Sequence, residues 1–477
     1  MANIFTELAN YRGLFLMVFV LGLGGTFQYG YHISVLNSPS PYIKAFINET
    51  WMMRYGTPIP HETLTLRWSL LVSVYSIGGL VGSTCSGYLI GRFGKKRCQL
   101  CNCLLPIASA LLMGLSRIVG NFEMILVGRC LAGFYAGLGI NIHAQFAGEI
   151  APRKLRGLIN TTGPLFVTLG KLCGQIIGLR ELFGTETLWP QLLLVSGLLS
   201  FVQLVVLPFF PDSPPYILLN KGDKEGCMRA LKQLWGDRDH QAHIDEIMKD
   251  NVSSKMGRKM SALELLKDPS HRCQILVMIG LILCLQLSGA NAIYFYSYDV
   301  FQEAGFPQDQ IAYVSLGVGA FEFVSAMICD SYSWMPYCSV FLTFLFIFLY
   351  GAGPAGATIS TCVEIFSQVP RVPAFVISGC FSWVGLYILG MVFPYIVETL
   401  KHFCFLLFMA FMILALLFIH FIVPETKDKT IAQISQEFNK FNFKKQKQGV
   451  QSSNISVCTQ HNNVRTAFSE CSLSTRL

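Results

Sequence analysis

Long apolar runs alternate with short polar breaks along most of this chain. Runs of spanning length fall near residues 13–33, 66–90, 97–116, 120–147, 157–180 and 189–209. A polar stretch dense in Lys, Arg, Asp and Glu then extends from Pro211 to about Arg272. Further apolar runs lie near 272–298, 311–329, 337–366, 372–397 and 402–423. A helix crosses a bilayer in about 20 residues, so each run is a candidate span. The pattern predicts an all-α membrane protein of two helical bundles, six spans and then five. The divisions are an N-terminus over 1–12, a first bundle over 13–210, a central loop with amphipathic helices over 211–271, a second bundle over 272–423 and a tail over 424–477. Beyond about Lys447 no core-forming pattern exists, which predicts disorder.

Composition narrows the class. The 477 residues are 52% hydrophobic and 13% charged, against roughly 25% charged in soluble domains. A single soluble core also stops growing near ~250–300 residues. One large soluble domain, a disordered regulator and a disulfide scaffold are all excluded. The net charge of +8 reads as the basic bias of cytoplasmic loops, not as a nucleic-acid footprint. Many of the 16 cysteines, among them Cys130, Cys173, Cys284, Cys362 and Cys404, sit in apolar runs, where a free thiol acts as a small hydrophobe. Cys98, Cys101 and Cys103 are close-set, but no second cluster or histidine completes zinc-ligand spacing. No metal or cofactor is expected, and no nucleophile–base pair in the spans suggests an enzyme. The first apolar run is too long for a cleavable signal peptide and lacks a clear cleavage site.

Charge predicts sidedness. Arg92, Lys95, Lys96 and Arg97 lie between the second and third runs, and Arg153, Lys154 and Arg156 between the fourth and fifth. The tail carries Lys444, Lys445 and Lys447. By the positive-inside rule these segments and both termini are cytoplasmic. Residues 37–65 are then outside, which makes Asn48-Glu49-Thr50 a plausible glycosylation sequon. Sequons at Asn160, Asn251 and Asn454 fall on the inner side.

Several charges at span ends ask for partners. Glu149 closes the fourth run, ahead of Pro152-Arg153, and Arg129 lies within that run. Unpaired charges at such depths are costly, so an ion-pair cluster joining inner helix ends is expected. Glu364…Pro370-Arg371 echoes Glu149…Pro152-Arg153, a weak internal repeat of the kind duplicated carriers show.

These motifs resemble the sugar-porter family of the major facilitator superfamily, specifically the facilitative hexose transporters of the second class. The matching residues are Gly91-Arg92-Phe93-Gly94-Lys95-Lys96, Gly128-Arg129, Gly148-Glu149 to Arg156-Gly157 and Pro211-Asp212-Ser213-Pro214. In the second half they are Gln286 to Asn291, Gly353-Pro354 and Pro424-Glu425-Thr426-Lys427, with Phe27 to Tyr31 and Trp383 also fitting. The resemblance covers about residues 10–440. It implies hexose uniport by alternating access at the plasma membrane, with hexose and lipid as partners. It also implies an inner gate of Arg92, Arg129, Glu149, Arg153, Glu364 and Arg371.

The residues themselves also point to a pocket. A hexose needs neutral donors and acceptors at mid-membrane and an aromatic face. Gln286 and Asn291 are amides in an apolar run, for sugar contact or a helix–helix hydrogen bond. Five residues apart, they share a face only if the helix is broken, which Ser288-Gly289 permits. Trp383 is the candidate aromatic wall, Tyr29 the opposite polar contact and Gln175 a secondary candidate. Glu322 is an intramembrane carboxylate, functional by default and the one group that would suit proton coupling.

Departures from the family pattern bear on specificity and competence. Pro164, Leu285, Ala357, Ser382 and Leu386 stand where glucose carriers have polar or aromatic groups, and Pro215 replaces an arginine. Between Asp330 and Ser331 a helix and a half and a basic loop of the family pattern are missing. Eleven full spans would put the lysine-rich tail outside. Residues 311–329 are therefore expected to turn back or lie tilted instead of crossing cleanly.

Overall fold

A computed structural model describes residues 11–152, 155–220, 222–236, 241, 244–245, 247–248, 262–268, 271–303, 307–328, 365–366, 368–400 and 404–422. Among the described residues the secondary structure is helical, without a strand. Among these described residues seven helical stretches are long and apolar enough to cross a membrane, and two shorter apolar helices accompany them. Of the expected span at 337–366, only residues 365–366 are among the described residues.

The first span is α1 (Arg12–Gly24) and α2 (Thr26–Ser34), broken at Gly25. A short helix α3 (Ser40–Tyr55) leads to the long α4 (His61–Phe93). The third span is α5 (Lys95–Asn102) and α6 (Leu104–Val119), followed by α7 (Glu123–Ile150), α8 (Arg156–Ile177) and α9 (Trp189–Val206). Pro164 lies inside α8, which continues through it.

The tightest pairing in this half is α4 against α7. A Cβ added at Gly133 or Gly137 would meet the Tyr75 or Gly79 carbonyl oxygen at 1.9 and 2.1 Å. Glycine removes the side chain so that the two backbones touch. In lipid, where burial of apolar surface gives no advantage between helices, such contact is the main source of association.

The central loop forms α10 (Pro214–Asn220), α11 (Lys224–Trp235) and α12 (Ala262–Lys267). Asp223 caps α11, its carboxylate accepting from the Gly226 N–H at 2.7 Å. Cys227, Ala230, Leu231 and Leu234 are buried at helical spacing, and the Trp235 indole donates to the Ile150 carbonyl at 2.8 Å. This amphipathic face seats α11 under the first bundle.

The second half comprises α13 (Arg272–Leu287), α14 (Ala290–Glu303), α15 (Gln308–Ile328), α16 (Gln368–Leu400) and α17 (Cys404–Ile422). Helix α15 is one helix of 21 residues with no reversal inside it. The Asp330–Ser331 junction lies outside the described residues.

Contacts fix the helix directions. Gly379 faces Ser83, Trp383 faces Gly79 and Gly390 faces Ser73, so α16 runs antiparallel to α4. Gly289 faces Phe408 and Gly280 faces Phe418, so α17 runs antiparallel to α13. The start of α1, the central-loop helices and the end of α17 consequently share one end of the bundle. That basic end is opposite the α3 end.

Candidate functional site

The two halves meet at mid-membrane through aromatic rings. Trp383 of α16 lies on the bare backbone of α4, where a Cβ at Gly79 would approach its ring to 2.3 Å. Tyr29 meets it edge-on, with centroids 5.4 Å apart and an interplanar angle of 86°. Tyr75 completes the group at 5.6 Å from Trp383 and 6.4 Å from Tyr29. Edge-to-face packing sets a positive ring edge against a negative face, worth about 0.5–1.5 kcal/mol per pair beyond burial. Trp383, named from the sequence as the aromatic wall, and Tyr29, named as the opposite polar contact, are thus in direct contact.

Span seven supplies the polar groups. Helix α13 stops at Leu287, and Gly289 has φ +83°, a left-handed conformation that side chains resist. Helix α14 restarts at Ala290. The break carries Gln286 and Asn291 onto one face: the Asn291 amide donates to Gln286 Oε1 at 3.0 Å. The Gln286 amide donates in turn to Ser382 Oγ at 2.6 Å. The three side chains form a directed chain that ends beside Trp383. The helix–helix bond expected as one reading of these amides is present, and it positions polar groups at the aromatic junction.

Gln175 does not join them. It is 5% exposed near the α3 end, its amide facing Gly319 of α15, and neither amide atom has a partner among the described residues. It lines a cavity of about 80 Å³ with Ser34, Asn37, Tyr298 and Ser315. The halves are tied together around this cavity. Lys44 pairs with Asp299 at 2.8 Å, Asn37 Nδ2 donates to the Tyr294 carbonyl, and the Tyr313 hydroxyl donates to Glu181. The Tyr313 bond holds the Glu181 carboxyl below its ordinary value.

At the basic end the structure redraws the expected gate. Glu149 is bound by Lys95 at 2.7 Å and by the Ser213 hydroxyl. Arg92 instead meets the hydroxyl of Tyr88, one turn earlier on its own helix. Arg129 is the clear correction. It lies 20 residues before Glu149 on one continuous helix, about 30 Å away at 1.5 Å per residue. It is fully buried, donates to the carbonyls of His32 at 2.7 Å and Val72 at 3.2 Å, and stacks 4.7 Å from the Tyr75 ring centre. Carbonyl dipoles and an aromatic face offset the desolvation that a paired carboxylate was expected to meet. Arg129 therefore braces the first two spans behind the aromatic junction. Arg153 and Glu364 lie outside the described residues, as do the side chains of Arg371 and Glu322.

Sequence reasoning missed Tyr75, Gly79, Lys95 and Ser213 as members of these clusters. Tyr75 and Gly79 are one turn apart in an apolar run, a small-plus-aromatic spacing that could have marked a contact face. Lys95 was one of several loop cations with nothing local to single it out. Asn48 sits half-buried in α3, its Oδ1 accepting from the Ile59 N–H at 3.2 Å, while buried Thr50 bonds the Phe46 carbonyl.

Two bundles, a broken first helix in the second bundle and a polar–aromatic junction between halves define a membrane carrier of the major facilitator fold. Solved structures agree in fold. The proton:xylose symporter XylE bound to 6-bromo-6-deoxy-D-glucose superposes with a TM-score of 0.72 at 18% identity, covering 90% of this chain and all of that one. The inward-open xylose transporter XylE from E. coli gives 0.69 at 18%, covering 89% and 99%. The chain matches the family described as "Sugar (and other) transporter" over residues 17–332 and 324–438, and it belongs to that family. It is 34% identical to human facilitated glucose transporter member 11, over 92% of this chain and 95% of the relative. It is 37% identical to human member 9, over 88% and 84%, and 36% identical to sheep member 5, over 90% and 92%.

Proposed function

We propose that this chain carries a hexose, glucose or fructose, across the plasma membrane by facilitated diffusion. The observation that carries this reading is the hydrogen-bonded chain Asn291–Gln286–Ser382 at the break in span seven, beside Trp383 and Tyr29. Neutral amides and a hydroxyl suit a polyol, and the aromatic rings suit the apolar face of a sugar. In alternating access the two halves rock about this junction. The bonds at the α3 end close one side, and release of Lys44 from Asp299 opens it. With the basic end cytoplasmic, the chain's two termini face the cytoplasm and Asn48 is glycosylated, which a glycosidase mobility shift checks. Uptake of labelled fructose and glucose into proteoliposomes tests the reading. Saturable flux lost in Trp383→Ala supports it, and flux indistinguishable from protein-free vesicles refutes it. A flux driven by an imposed pH gradient would move the reading to proton coupling.

One observation favours a second reading, a transport-incompetent variant with a regulatory role. The matches to members 11, 9 and 5 extend over 472, 454 and 461 positions but use 92, 88 and 90% of the chain's 477 residues. Each therefore leaves about 32–34 positions with no residue here. The family match also falls into two segments that overlap over 324–332, a range that contains the Asp330–Ser331 junction. The absence of flux from correctly folded protein would select this reading. Saturable flux excludes it.

A further inference from the structure

The hexose reading leaves the basic loop at residues 92–97 only partly used. Lys95 is spent on Glu149, but Lys96 and Arg97 open onto a pocket of about 500 Å³ between the start of α5 and helix α11. Arg229 of α11 lies across from them, and Leu100, Pro211, Ile217 and Ala230 give the pocket apolar walls. Lys96 is oriented by the Pro208 and Phe210 carbonyls, at 2.9 and 2.5 Å. Arg97 and Arg229 are exposed, and neither has a partner among the described residues. One carboxylate lines the pocket, that of Asp212, and its Oδ1 already accepts from the Ser213 N–H at 3.0 Å. Three cations against one engaged carboxylate leave a concave, positively charged site.

Its depth says what kind of anion it takes. The pocket opens where the third span begins, at Lys95. Its rim includes the segment whose Phe209 carbonyl binds Gln233, a lining residue, while the Phe209 side chain is 76% exposed. Leu104, two turns into the same span as Lys96, is 56% exposed. Exposed apolar side chains beside guanidinium groups that have no partner among the described residues are the arrangement of a headgroup site. Planar guanidinium forks match phosphate oxygens two at a time, and the volume admits a ring bearing more than one phosphate.

We propose that this pocket binds the phosphorylated headgroup of an inositol lipid in the leaflet at the basic end. The site does not depend on sugar transport, so it is tested by binding. Native mass spectrometry of the detergent-purified full chain would be titrated with three probes: dioctanoyl phosphatidylinositol bisphosphate, dioctanoyl phosphatidylserine and soluble inositol trisphosphate. The bisphosphate lipid is expected to bind saturably. Affinity is expected to fall about tenfold or more in Arg97→Ala/Arg229→Ala and to recover partly in Arg97→Lys/Arg229→Lys, which restores charge without the fork. A thermal midpoint unchanged in the alanine variant separates lost binding from misfolding, and these exposed positions predict that it is unchanged. Equal affinity for phosphatidylserine, or unchanged binding in the alanine variant, overturns the proposal. Soluble inositol trisphosphate binding as tightly as the lipid also overturns it, since the pocket would then take free phosphate.

Discussion

The first helix of each half is broken at a glycine, and the two breaks are put to different use. At Gly25 the chain stays at negative φ (−108°), and the polar groups around the break turn inward to their own bundle. Gln28 donates to the Ser196 carbonyl at 2.8 Å, and Gln203 reaches back to the Val20 carbonyl at 3.1 Å. At Gly289 the backbone is left-handed, and Gln286 reaches Ser382 on the helix that carries Trp383. One break is stitched shut as structure, and the other is aimed at the junction between halves. A buried amide thus says little about function until its partner is known.

The glycines should separate the two breaks most sharply. Gly289→Val should abolish hexose uptake, because a β-branched residue at φ +83° is strained and its Cβ would lie 2.7 Å from the Phe408 ring. Gly25→Ala should lower uptake less, since Gly25 stays at negative φ and only the Leu21 carbonyl, 2.8 Å from the added Cβ, has to give way. Equal loss in both variants would mean that the breaks serve the same purpose.

Next in size, Trp383→Ala should lower uptake about tenfold or more, by removing the ring on which Tyr29 and Tyr75 close. Trp383→Phe should keep part of it. Initial-rate measurements at matched surface expression check both.

The amides separate more finely. Gln286→Ala should raise the hexose KM about fivefold or more with little change in the thermal midpoint. Gln28→Ala should lower stability by about 1–2 kcal/mol, because the buried bond from its amide to the Ser196 carbonyl is lost, while KM stays unchanged. A KM effect at Gln28 as large as that at Gln286 would erase the distinction drawn between the two helices.

The smallest effect belongs to the α3 end. The Glu181 carboxyl is held below its ordinary value by the Tyr313 hydroxyl. A depressed folded-state pKa means that this contact is present at neutral pH and is lost as pH falls through that pKa, below the usual carboxylate range. External thiol labelling of a cysteine placed near Tyr313 should rise on acidification in the wild type and lose that pH dependence in Glu181→Gln.

Legibility followed the range of the interaction. The spans, the amphipathic α11 and the break at Ser288-Gly289 were readable because each rests on neighbours within a few residues: apolar run length, 3.6-residue spacing, a missing Cβ. The family was readable because its motifs are local strings such as Gly91 to Lys96. Arg129 was misplaced for the opposite reason. Its partners, the carbonyls of His32 and Val72, are 97 and 57 residues away, and carbonyls leave no trace in residue identity. A carboxylate was the natural expectation, since carboxylates are visible in sequence and backbone is not.

Hydropathy and spacing act locally, so the sequence alone was enough to specify a helical membrane carrier of two bundles. Only the tertiary structure decided which polar groups meet. It took Gln175 away from the central site, gave Glu149 to Lys95 and Ser213, and set Gln286 on Ser382. Those choices depend on which helix faces which across the bundle. Direction-specific hydrogen bonds between distant segments settle them, and no periodicity along a single helix encodes such pairings.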